Sequence, residues 1–166
     1  MTGLNIRNMT VADHRVVGDI GFAAWSSSDA SGALSPAPEL IARVRQEFSV
    51  FPSIATRDVH VAEIESLVVG WAAREGERDY ISDLWVHPEY QGRGIGRQLV
   101  LHLLRLMTEE GHSFVRIHTQ AGNSGAIRLY QRCGFAIVWR GMEHSRSMGI
   151  DVEKVHLQRE LPAAWV

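Results

Sequence analysis

A glycine-rich segment between two apolar stretches holds the residue types that most directly suggest chemistry. Residues 87–97 read His-Pro-Glu-Tyr-Gln-Gly-Arg-Gly-Ile-Gly-Arg, so glycine occupies every second position from 92 to 96, with arginine beside it. Because glycine lacks a Cβ, an anionic group can approach the backbone closely there. A segment that leads from a strand into a helix also offers unpaired N–H groups and the positive end of the helix dipole. The segment therefore predicts a phosphate or pyrophosphate site.

Two common phosphate-binding motifs are excluded by single residues. A Walker loop needs lysine directly after its last glycine, and the only lysine of the chain is Lys154. A dinucleotide fingerprint, Gly-x-Gly-x-x-Gly, needs glycine where Arg97 stands. A glycine turn that does nothing except begin a helix is the structural alternative, but closely spaced glycines would weaken that helix start. The pattern favours a ligand-binding loop of another kind.

Composition excludes several classes of protein. The chain has 166 residues, of which 45% are hydrophobic and 22% charged, and its net charge is −2. This balance is typical of one folded domain, 1–166, and gives no general attraction to nucleic acid or to a membrane surface. A single cysteine, Cys133, excludes an internal disulfide, and no histidine pair has metal-ligand spacing, so no metal site is predicted. Without a signal peptide or a bilayer-long apolar run, we expect a soluble, cytoplasmic protein.

The elements around the glycine segment follow from hydrophobic periodicity. Alternating or continuous apolar runs predict strands at Leu4–Met9, His60–Ile64, Leu67–Arg74, Tyr80–Val86, Phe114–Thr119, Phe135–Met142 and Val152–Glu160. Helical spacing predicts a helix capped at Thr10 and helices at 40–48, Gly94–Glu110 and Ser124–Cys133. The Ser-, Gly- and Pro-rich residues 26–38 predict a loop, and Glu65–Ser66 predict a hairpin turn.

One strand–helix–strand unit carries the glycine segment at its first turn. Tyr80–Val86, Gly94–Glu110 and Phe114–Thr119 have the crossover length that joins two parallel strands. The hairpins on either side are expected to be antiparallel. The sequence thus predicts a mixed sheet in an α/β or α+β domain.

The residues around the glycines resemble the acetyl-CoA motif of the GCN5-related N-acetyltransferase (GNAT) superfamily, Gln/Arg-x-x-Gly-x-Gly/Ala. Gln91, Gly94 and Gly96 occupy its defining positions. The stretch from Asn123 to Phe135, Asn-Ser-Gly-Ala-Ile-Arg-Leu-Tyr-Gln-Arg-Cys-Gly-Phe, resembles the superfamily's second motif. The resemblance implies a GNAT fold, with a mixed, mostly antiparallel central sheet of about six to seven strands flanked by about four helices.

The resemblance also assigns residues to acetyl-CoA, the implied cosubstrate. Backbone groups of Leu84, Trp85 and Val86 would pair with the pantetheine arm, and the Val86 amide would face the thioester carbonyl and stabilise its oxyanion. Asn123 would contact the same arm, although Asn123 or Ser124 could equally cap a helix. Gln91, the first position of the motif, would belong to the same cofactor site. The pyrophosphate would be held by backbone amides of Gly92, Arg93, Gly94, Ile95, Gly96 and Arg97.

Tyr130 matches the family's tyrosine, whose hydroxyl reaches the sulfur of CoA. Aminolysis of a thioester expels a thiolate, and because an ordinary thiol has a pKa near 8.5, a proton donor eases its departure. The alternative is a core aromatic residue at helical spacing from Ile127. Cys133 could suggest an acetyl-cysteine intermediate, but its place at a helix end before Gly134 favours core packing.

The general base has three candidates. In the related ribosomal-protein alanine N-acetyltransferases an acidic residue stands five places before the asparagine; here that place holds His118, which can accept a proton near neutral pH. Asp83 precedes the glycine segment, where many relatives carry an acid, and in a regular strand it would share a face with Ile81 and Trp85. An ordered water without a dedicated base is the third. A weak base would favour α-amines, whose pKa lies near 8, over lysine.

The expected function is direct acetyl transfer from acetyl-CoA to a primary amine of a small molecule or a peptide N-terminus. Residues 25–37 and 140–151 would border the acceptor, and their mixed charges do not choose among amines. Two alternatives remain: a non-catalytic module that binds or senses acyl-CoA, and an enzyme that uses longer acyl-CoA or acylates oxygen.

We expect no nucleic-acid or membrane partner, and the resemblance leaves a monomer and a homodimer open. The tryptophans expected in the core or cleft are Trp25, Trp71, Trp85, Trp139 and Trp165.

Overall fold

The computed structural model of the chain describes residues 3–54 and 58–163. The strands are β1 Leu4–Asn8, β2 Val59–Ile64, β3 Leu67–Ala73, β4 Tyr80–Ile81, β5 Asp83–Val86, β6 Phe114–Gln120, β7 Ala136–Ser145 and β8 Ile150–Glu160. The helices are α1 His14–Ser26, α2 Asp29–Leu34, α3 Pro38–Ile54, α4 Ile95–Glu109 and α5 Ser124–Arg132, with short 3₁₀ turns at Val11–Asp13 and Pro88–Tyr90. Within the described ranges the strands form two four-stranded sheets, ordered β1-β2-β3-β5 and β4-β6-β8-β7.

The first sheet is antiparallel and contains a tight hairpin. β1 pairs with β2, β2 with β3, and β3 with β5. Glu65 and Ser66 join β2 to β3 with φ values of 49° and 68°. Two successive positive values give a turn whose twist matches that of the strands it joins. The predicted hairpin at these residues is confirmed.

The predicted strand Tyr80–Val86 is two strands that belong to different sheets. β4 runs parallel to β6, as the strand–helix–strand unit predicts. After Ile81 the chain leaves β6, and β5 pairs with β3 instead. The Ser82 N–H donates to the Ala73 carbonyl oxygen at 2.9 Å and ties the break to the first sheet. The prediction of one continuous strand is therefore wrong, because a run of apolar residues does not show which neighbour a strand pairs with.

The divergence of β5 from β6 opens a cleft between the sheets, and the strand register directs backbone groups into it. The His87 N–H donates to the Val69 carbonyl oxygen at 2.8 Å, and Trp85 lies opposite Trp71 two residues earlier. In an antiparallel pair, residues that bond across the ladder alternate with residues whose N–H and C=O point the other way. The backbone groups of Val86, between His87 and Trp85, therefore point away from β3 and into the cleft.

The residues 26–38, predicted as a loop, contain helix α2. The Ser28 side chain accepts a hydrogen bond from the Ser31 N–H at 3.2 Å and caps the first turn. Ser35 ends the helix in the left-handed conformation, with φ at 45°. Six residues are too few for a helical period to show in the sequence, and the Ser- and Gly-rich composition therefore hid the helix.

Helices cover opposite faces of the first sheet. α4 buries Leu99, Leu103 and Met107 as its spacing predicts, while Leu106 stays partly exposed. α1 and α3 pack on the other face, around the fully buried Trp71. Among the described residues, no helix has both the length and the apolar character needed to cross a membrane.

A buried arginine joins the end of β3 to the end of α4. Arg74 is 2% exposed, and its Nη1 and Nη2 atoms donate to the Glu110 carboxylate at 2.7 and 3.0 Å. Nη2 also donates to Asp58 at 3.0 Å. These hydrogen bonds favour the charged carboxylate and lower the pKa of Glu110 to about 2. The pairing anchors the C-terminal end of the helix whose N-terminal end follows the glycine segment.

Candidate active site

The first of two adjoining cavities lies where β5, the glycine segment, α4 and α5 meet, and its volume is about 510 Å³. The residues expected to bind acetyl-CoA that line it are Leu84, Trp85, Val86, Gln91, Gly92, Gly94, Ile95, Gly96, Arg97, Asn123 and Tyr130. Arg93 turns away from it. Its guanidinium donates to the Glu89 carbonyl oxygen at 3.2 Å and lies over the Tyr90 ring.

The glycines of the segment serve two different needs. Gly92 and Gly94 have φ values of 75° and 80°, a left-handed backbone that strains other residues, and a Cβ at either would point into open space. Gly96 has ordinary dihedrals, but its Cβ would lie 3.1 Å from the Leu129 side chain. The first two glycines shape an open loop, and the third lets α4 begin close to α5.

The start of α4 provides the electrostatics of an anion site. The first N–H groups of a helix have no partner within the helix, and the dipole of α4, 15 residues long, places its positive end there. Arg97 lies in the first turn and lines the cavity. The cavity can therefore hold a phosphate group at the helix end.

The edge of β5 forms the wall of this cavity. Because the backbone of Val86 points into the cleft, its N–H can donate to a bound ligand. The Val86 carbonyl oxygen accepts a hydrogen bond from Gln91 Nε2 at 2.9 Å. Gln91 thus holds the loop against β5, a structural contact that the motif alone does not indicate.

Tyr130 combines a packed ring with access to the cavity. It is 5% exposed, packs within the core against Phe135 and lines the cavity. Burial, reinforced by the nearby Asp83 carboxylate, raises the pKa of its hydroxyl well above the ordinary value. The hydroxyl therefore keeps its proton at neutral pH. Both interpretations of Tyr130, core aromatic and cavity residue, describe its position.

Asn123 stands at the start of α5 and borders both cavities. Its Oδ1 accepts a hydrogen bond from the Ala126 N–H at 3.5 Å, and its Nδ2 donates to Thr119 Oγ1 at 3.3 Å. Asp29 belongs to the segment expected to border the acceptor, but its carboxylate accepts from the Gly125 N–H at 3.2 Å and lines the first cavity instead. The unexpected helix α2 places it there, which the sequence did not indicate.

The second cavity adjoins the first at Trp85 and Asn123 and has a volume of about 790 Å³. Residues 25–37 and 140–151, expected to border an acceptor, contribute to its wall, as does α3, which the sequence did not indicate. Asp83 and His118 both line it. The other lining residues are Trp25, Ala30, Glu47, Phe48, Phe51, Ile54, Glu75, Tyr80, Ser82, Thr119, Gln120, His144, Ser145, Arg146, Ser147, Met148 and Lys154.

Asp83 lies directly after the break between β4 and β5. Its Oδ1 accepts a hydrogen bond from Trp85 Nε1 at 3.2 Å. Burial raises the pKa of its carboxyl, and the nearby Glu75 adds to the effect. The shared face with Trp85 agrees with a regular strand, but Ile81 packs in the core on the α4 side. The expectation that Ile81 also shares this face is wrong, because the break at Ser82 shifts the alternation.

His118 belongs to a row of four aromatic rings that crosses the second sheet. Its ring lies 4.9 Å from that of Tyr80 on β4 and stacks on His156 of β8 at 3.5 Å, with an interplanar angle of 5°. Trp139 of β7 follows at 4.5 Å from His156. Burial, and next the neighbouring His156, lower the pKa of His118 to about 4. The His118 ring is therefore neutral at neutral pH.

A carboxylate stands at the far side of this row. Glu143 Oε1 lies 2.7 Å from His156 Nε2, and Lys154 Nζ lies 3.9 Å from Glu143. His118, Glu143 and His156 place potential ligand atoms within 4.8 Å of one another. However, because the two histidine rings are parallel, the lone pairs of their nitrogens lie in parallel planes and do not converge on one metal position. The Lys154 ammonium also competes for the Glu143 carboxylate. The group is arranged for a proton rather than for a metal ion.

Two further expectations concern side chains outside this arrangement. Cys133 is 4% exposed and belongs to the core, as predicted, and burial raises the pKa of its thiol. Trp25 and Trp71 are buried, and Trp85 borders both cavities. The expectation for Trp139 is wrong: it is 41% exposed on β7 and lines neither cavity. Trp165 lies outside the described residues.

Comparison with known families gives the class of protein to which this fold and glycine segment belong. A model of the Acetyltransferase (GNAT) family matches residues 25–135, more than half of the chain. This range includes the split strand, the glycine segment, α4 and α5. The chain therefore belongs to the GNAT family.

Curated relatives carry acyltransferase names. N-alpha-acetyltransferase MAK3 of Arabidopsis thaliana is 36% identical over 84 residues, 51% of this chain and 44% of that protein. L-amino acid N-acyltransferase MnaT of Escherichia coli is 24% identical over 116 residues, 66% of this chain and 67% of that protein. A mycothiol acetyltransferase of Nocardiopsis dassonvillei is 42% identical over 52 residues, 31% of this chain and 16% of that protein. The matches thus span less than half the length of the first and last of these relatives.

Solved structures share the fold. A GCN5-related N-acetyltransferase from Rhodopseudomonas palustris superposes with a TM-score of 0.78 and 20% identity, covering 97% of this chain and 98% of that one. The PaiA N-acetyltransferase of Thermoplasma acidophilum, solved with coenzyme A, gives 0.72 and 18%, covering 95% and 98%. The expected GNAT fold is confirmed. The described residues form eight strands and five helices, more than expected, because residues 80–86 split and residues 26–38 contain α2.

Proposed function

We propose that this chain acts as one N-acetyltransferase domain, residues 1–166, and transfers an acetyl group from acetyl-CoA directly to a primary amine. The observation that carries the proposal is the meeting of two cavities at Trp85 and Asn123. One cavity has the features of a pyrophosphate site, and the other is broad, aromatic and lined by proton-accepting groups. Two substrates can therefore meet at the end of β5.

The first cavity offers groups suited to each part of acetyl-CoA. The open backbone at Gly92 and Gly94 and the first N–H groups of α4 would hold the pyrophosphate. The exposed edge of β5 would pair with the pantetheine arm, and the Val86 N–H would donate to the thioester oxygen as negative charge develops there. The structural neighbour from Thermoplasma acidophilum was solved in complex with coenzyme A, which supports this assignment.

Tyr130 would donate the proton that the departing sulfur needs. Its raised pKa keeps the hydroxyl protonated before the reaction, and a thiolate leaves more readily when a proton is supplied. Tyr130 is the general acid in this proposal.

We assign the proton from the amine to His118, with Asp83 as the alternative. The His118 ring is neutral at neutral pH and lines the acceptor cavity. Although its lowered pKa makes it a weak base, the nitrogen proton becomes much more acidic once the amine has attacked the carbonyl carbon. Asp83 has a raised pKa, which strengthens it as a base, but its carboxylate already accepts the Trp85 indole N–H. Variants His118→Gln and Asp83→Asn separate the two, since the one that removes the base loses kcat.

The acceptor is proposed to carry an α-amino group, on a small molecule or at a peptide N-terminus. A weak base suits α-amines, of which roughly a tenth are already neutral at pH 7. The names of two relatives, an N-alpha-acetyltransferase and an L-amino acid N-acyltransferase, support the same class. The cavity's aromatic wall, formed by Phe48, Phe51 and Trp85, would contact the apolar part of such an amine.

The test is release of free thiol from acetyl-CoA across a panel of amino acids, free-N-terminal peptides, polyamines and aminoglycosides. We expect turnover with α-amines and its loss in Tyr130→Phe. A second panel of longer acyl-CoA donors and of alcohols tests acyl length and transfer to oxygen. Tight binding of acetyl-CoA without turnover in any panel would instead favour a non-catalytic sensor.

A further inference from the structure

Two side chains behind His118 are arranged to control its proton. His118 lines the acceptor cavity, whereas His156 on the paired strand β8 and Glu143 on β7 do not. His118 and His156 are direct cross-strand partners, which fixes their rings face to face at 3.5 Å. Tyr80 and Trp139 close the two ends of the row, so neither imidazole can turn freely out of the stack.

The stacked pair can take up one proton easily but not two. Two imidazolium ions 3.5 Å apart would repel each other strongly, so the rings titrate in two separated steps. Glu143 Oε1 lies 2.7 Å from His156 Nε2, an ion-pair distance, although Nε2 makes no hydrogen bond because the ring N–H is not directed at the oxygen. The negative charge this close still favours the charged form of the His156 ring.

We propose that His156 and Glu143 are positioning residues for His118: the carboxylate directs the proton of the stacked pair to His156 and leaves the His118 ring neutral and facing the cavity. The inference rests on the proposed role of His118 as the acceptor of the amine proton. The role that it gives to His156 and Glu143 is separate from the roles proposed for the glycine segment and for Tyr130.

The other charges around His118 do not reverse this order. The basic groups near it are Arg116 and Lys154, which lower its proton affinity, and Tyr80 is neutral beside it. Glu143 favours protonation of both rings, but it contacts only His156. Across the cavity stand the carboxyl groups Glu47, Glu75 and Asp83, none of which is hydrogen-bonded to a histidine among the described residues.

The test is a residue-specific NMR titration of the histidine rings in buffer with EDTA. In the wild type we expect His156 to protonate at higher pH than His118. His156→Phe keeps a flat ring in the stack and removes its charge, so the pKa of His118 should rise by about one unit. In Glu143→Gln the pKa of His156 should fall by about one unit, because the neighbouring negative charge is gone.

His112→Gln is the matched control. His112 Nε2 lies 3.2 Å from Glu110, with side-chain exposures of 27% and 25%, close to the 23% and 33% of His156 and Glu143. It stands at the turn after α4, away from both cavities, so the titration of His118 should not change. Protonation of His118 before His156, or an unchanged pKa of His118 in His156→Phe, would overturn the proposal.

The pH profile of kcat gives a readout that a structural role would not move. The assay uses an amine that the wild type acetylates. In His156→Phe, the pH at which kcat falls on the acid side should rise by about one unit, as the pKa of His118 does. A residue that only supports the fold would lower kcat equally at every pH, and that result would also refute the role. If no amine is acetylated, the proposed function fails, while the NMR titration still decides where the proton resides.

Discussion

Gly94 and Gly111 stand at opposite ends of α4 and offer a matched test of the phosphate loop. Their φ values are 80° and 86°, and a Cβ at either position would meet no heavy atom within 4 Å. Alanine at either site should therefore cost about 1–2 kcal/mol of unfolding free energy, because an L side chain is strained in the left-handed region. Both Gly94→Ala and Gly111→Ala should lower Tm by a similar amount, roughly 2–8 °C.

Of these two glycines only Gly94 lines the first cavity, the proposed acetyl-CoA site, so the two variants should differ in ligand binding. In Gly94→Ala the new methyl group enters the space beside the first N–H groups of α4, and we expect the affinity for CoA to fall by at least about tenfold, or 1.4 kcal/mol. Gly111→Ala should bind CoA as the wild type does. Titration calorimetry measures both, with thermal melts as the stability control. Wild-type affinity in Gly94→Ala would refute the phosphate loop, and equal losses in both variants would trace the effect to folding.

Three further predictions concern catalysis and stability. Tyr130→Phe should lower kcat by about 100-fold or more while leaving CoA affinity intact; thiol release and calorimetry check this, and an unchanged kcat removes Tyr130 from proton donation. Arg74→Met should lower the unfolding free energy in urea by about 3 kcal/mol, because Glu110 and Asp58 lose their buried partner. The double variant Arg74→Met with Glu110→Gln should recover part of the lost unfolding free energy, and no recovery would contradict the pairing of Arg74 with Glu110. Burial lowers the pKa of His60, 5% exposed, from 6.5 to about 4. The unfolded chain therefore binds this proton first, and stability should fall by roughly 3 kcal/mol as pH drops from 6.5 to 4. In His60→Gln, the unfolding free energy obtained from urea melts should fall less steeply as the pH drops from 6.5 to 4. The same pH dependence as in the wild type would exclude His60 as the cause.

The sequence predicts well which residues of the glycine segment line the first cavity, because that segment is local in the chain. The glycine segment, the end of β5 and the start of α4 are consecutive, so their relative positions follow from one turn. Hydrophobic spacing also predicts which face of α4 is buried. Asn123 and Tyr130 come from a second contiguous motif, and both line the same cavity.

The row of rings could not be predicted, because it depends on strand register. Tyr80, His118, His156 and Trp139 come from four strands, and they align only because β4, β6, β8 and β7 pair in that order. An irregularity between Ile137 and Trp139 sets Trp139 opposite His156. The break at Ser82, which separates the sheets, is likewise invisible in a continuous apolar run.

Direct transfer between two bound substrates is the central claim, and the fate of a labelled acetyl group tests it most directly. Protein is mixed with carbon-13 acetyl-CoA, first alone and then with an α-amine, and the label is located by NMR and mass spectrometry. The account predicts no acetylated protein without the amine and one amide per thiol released with it. Label attached covalently to the protein before the amine is added would contradict the account. Release of thiol without formation of an amide would also contradict it.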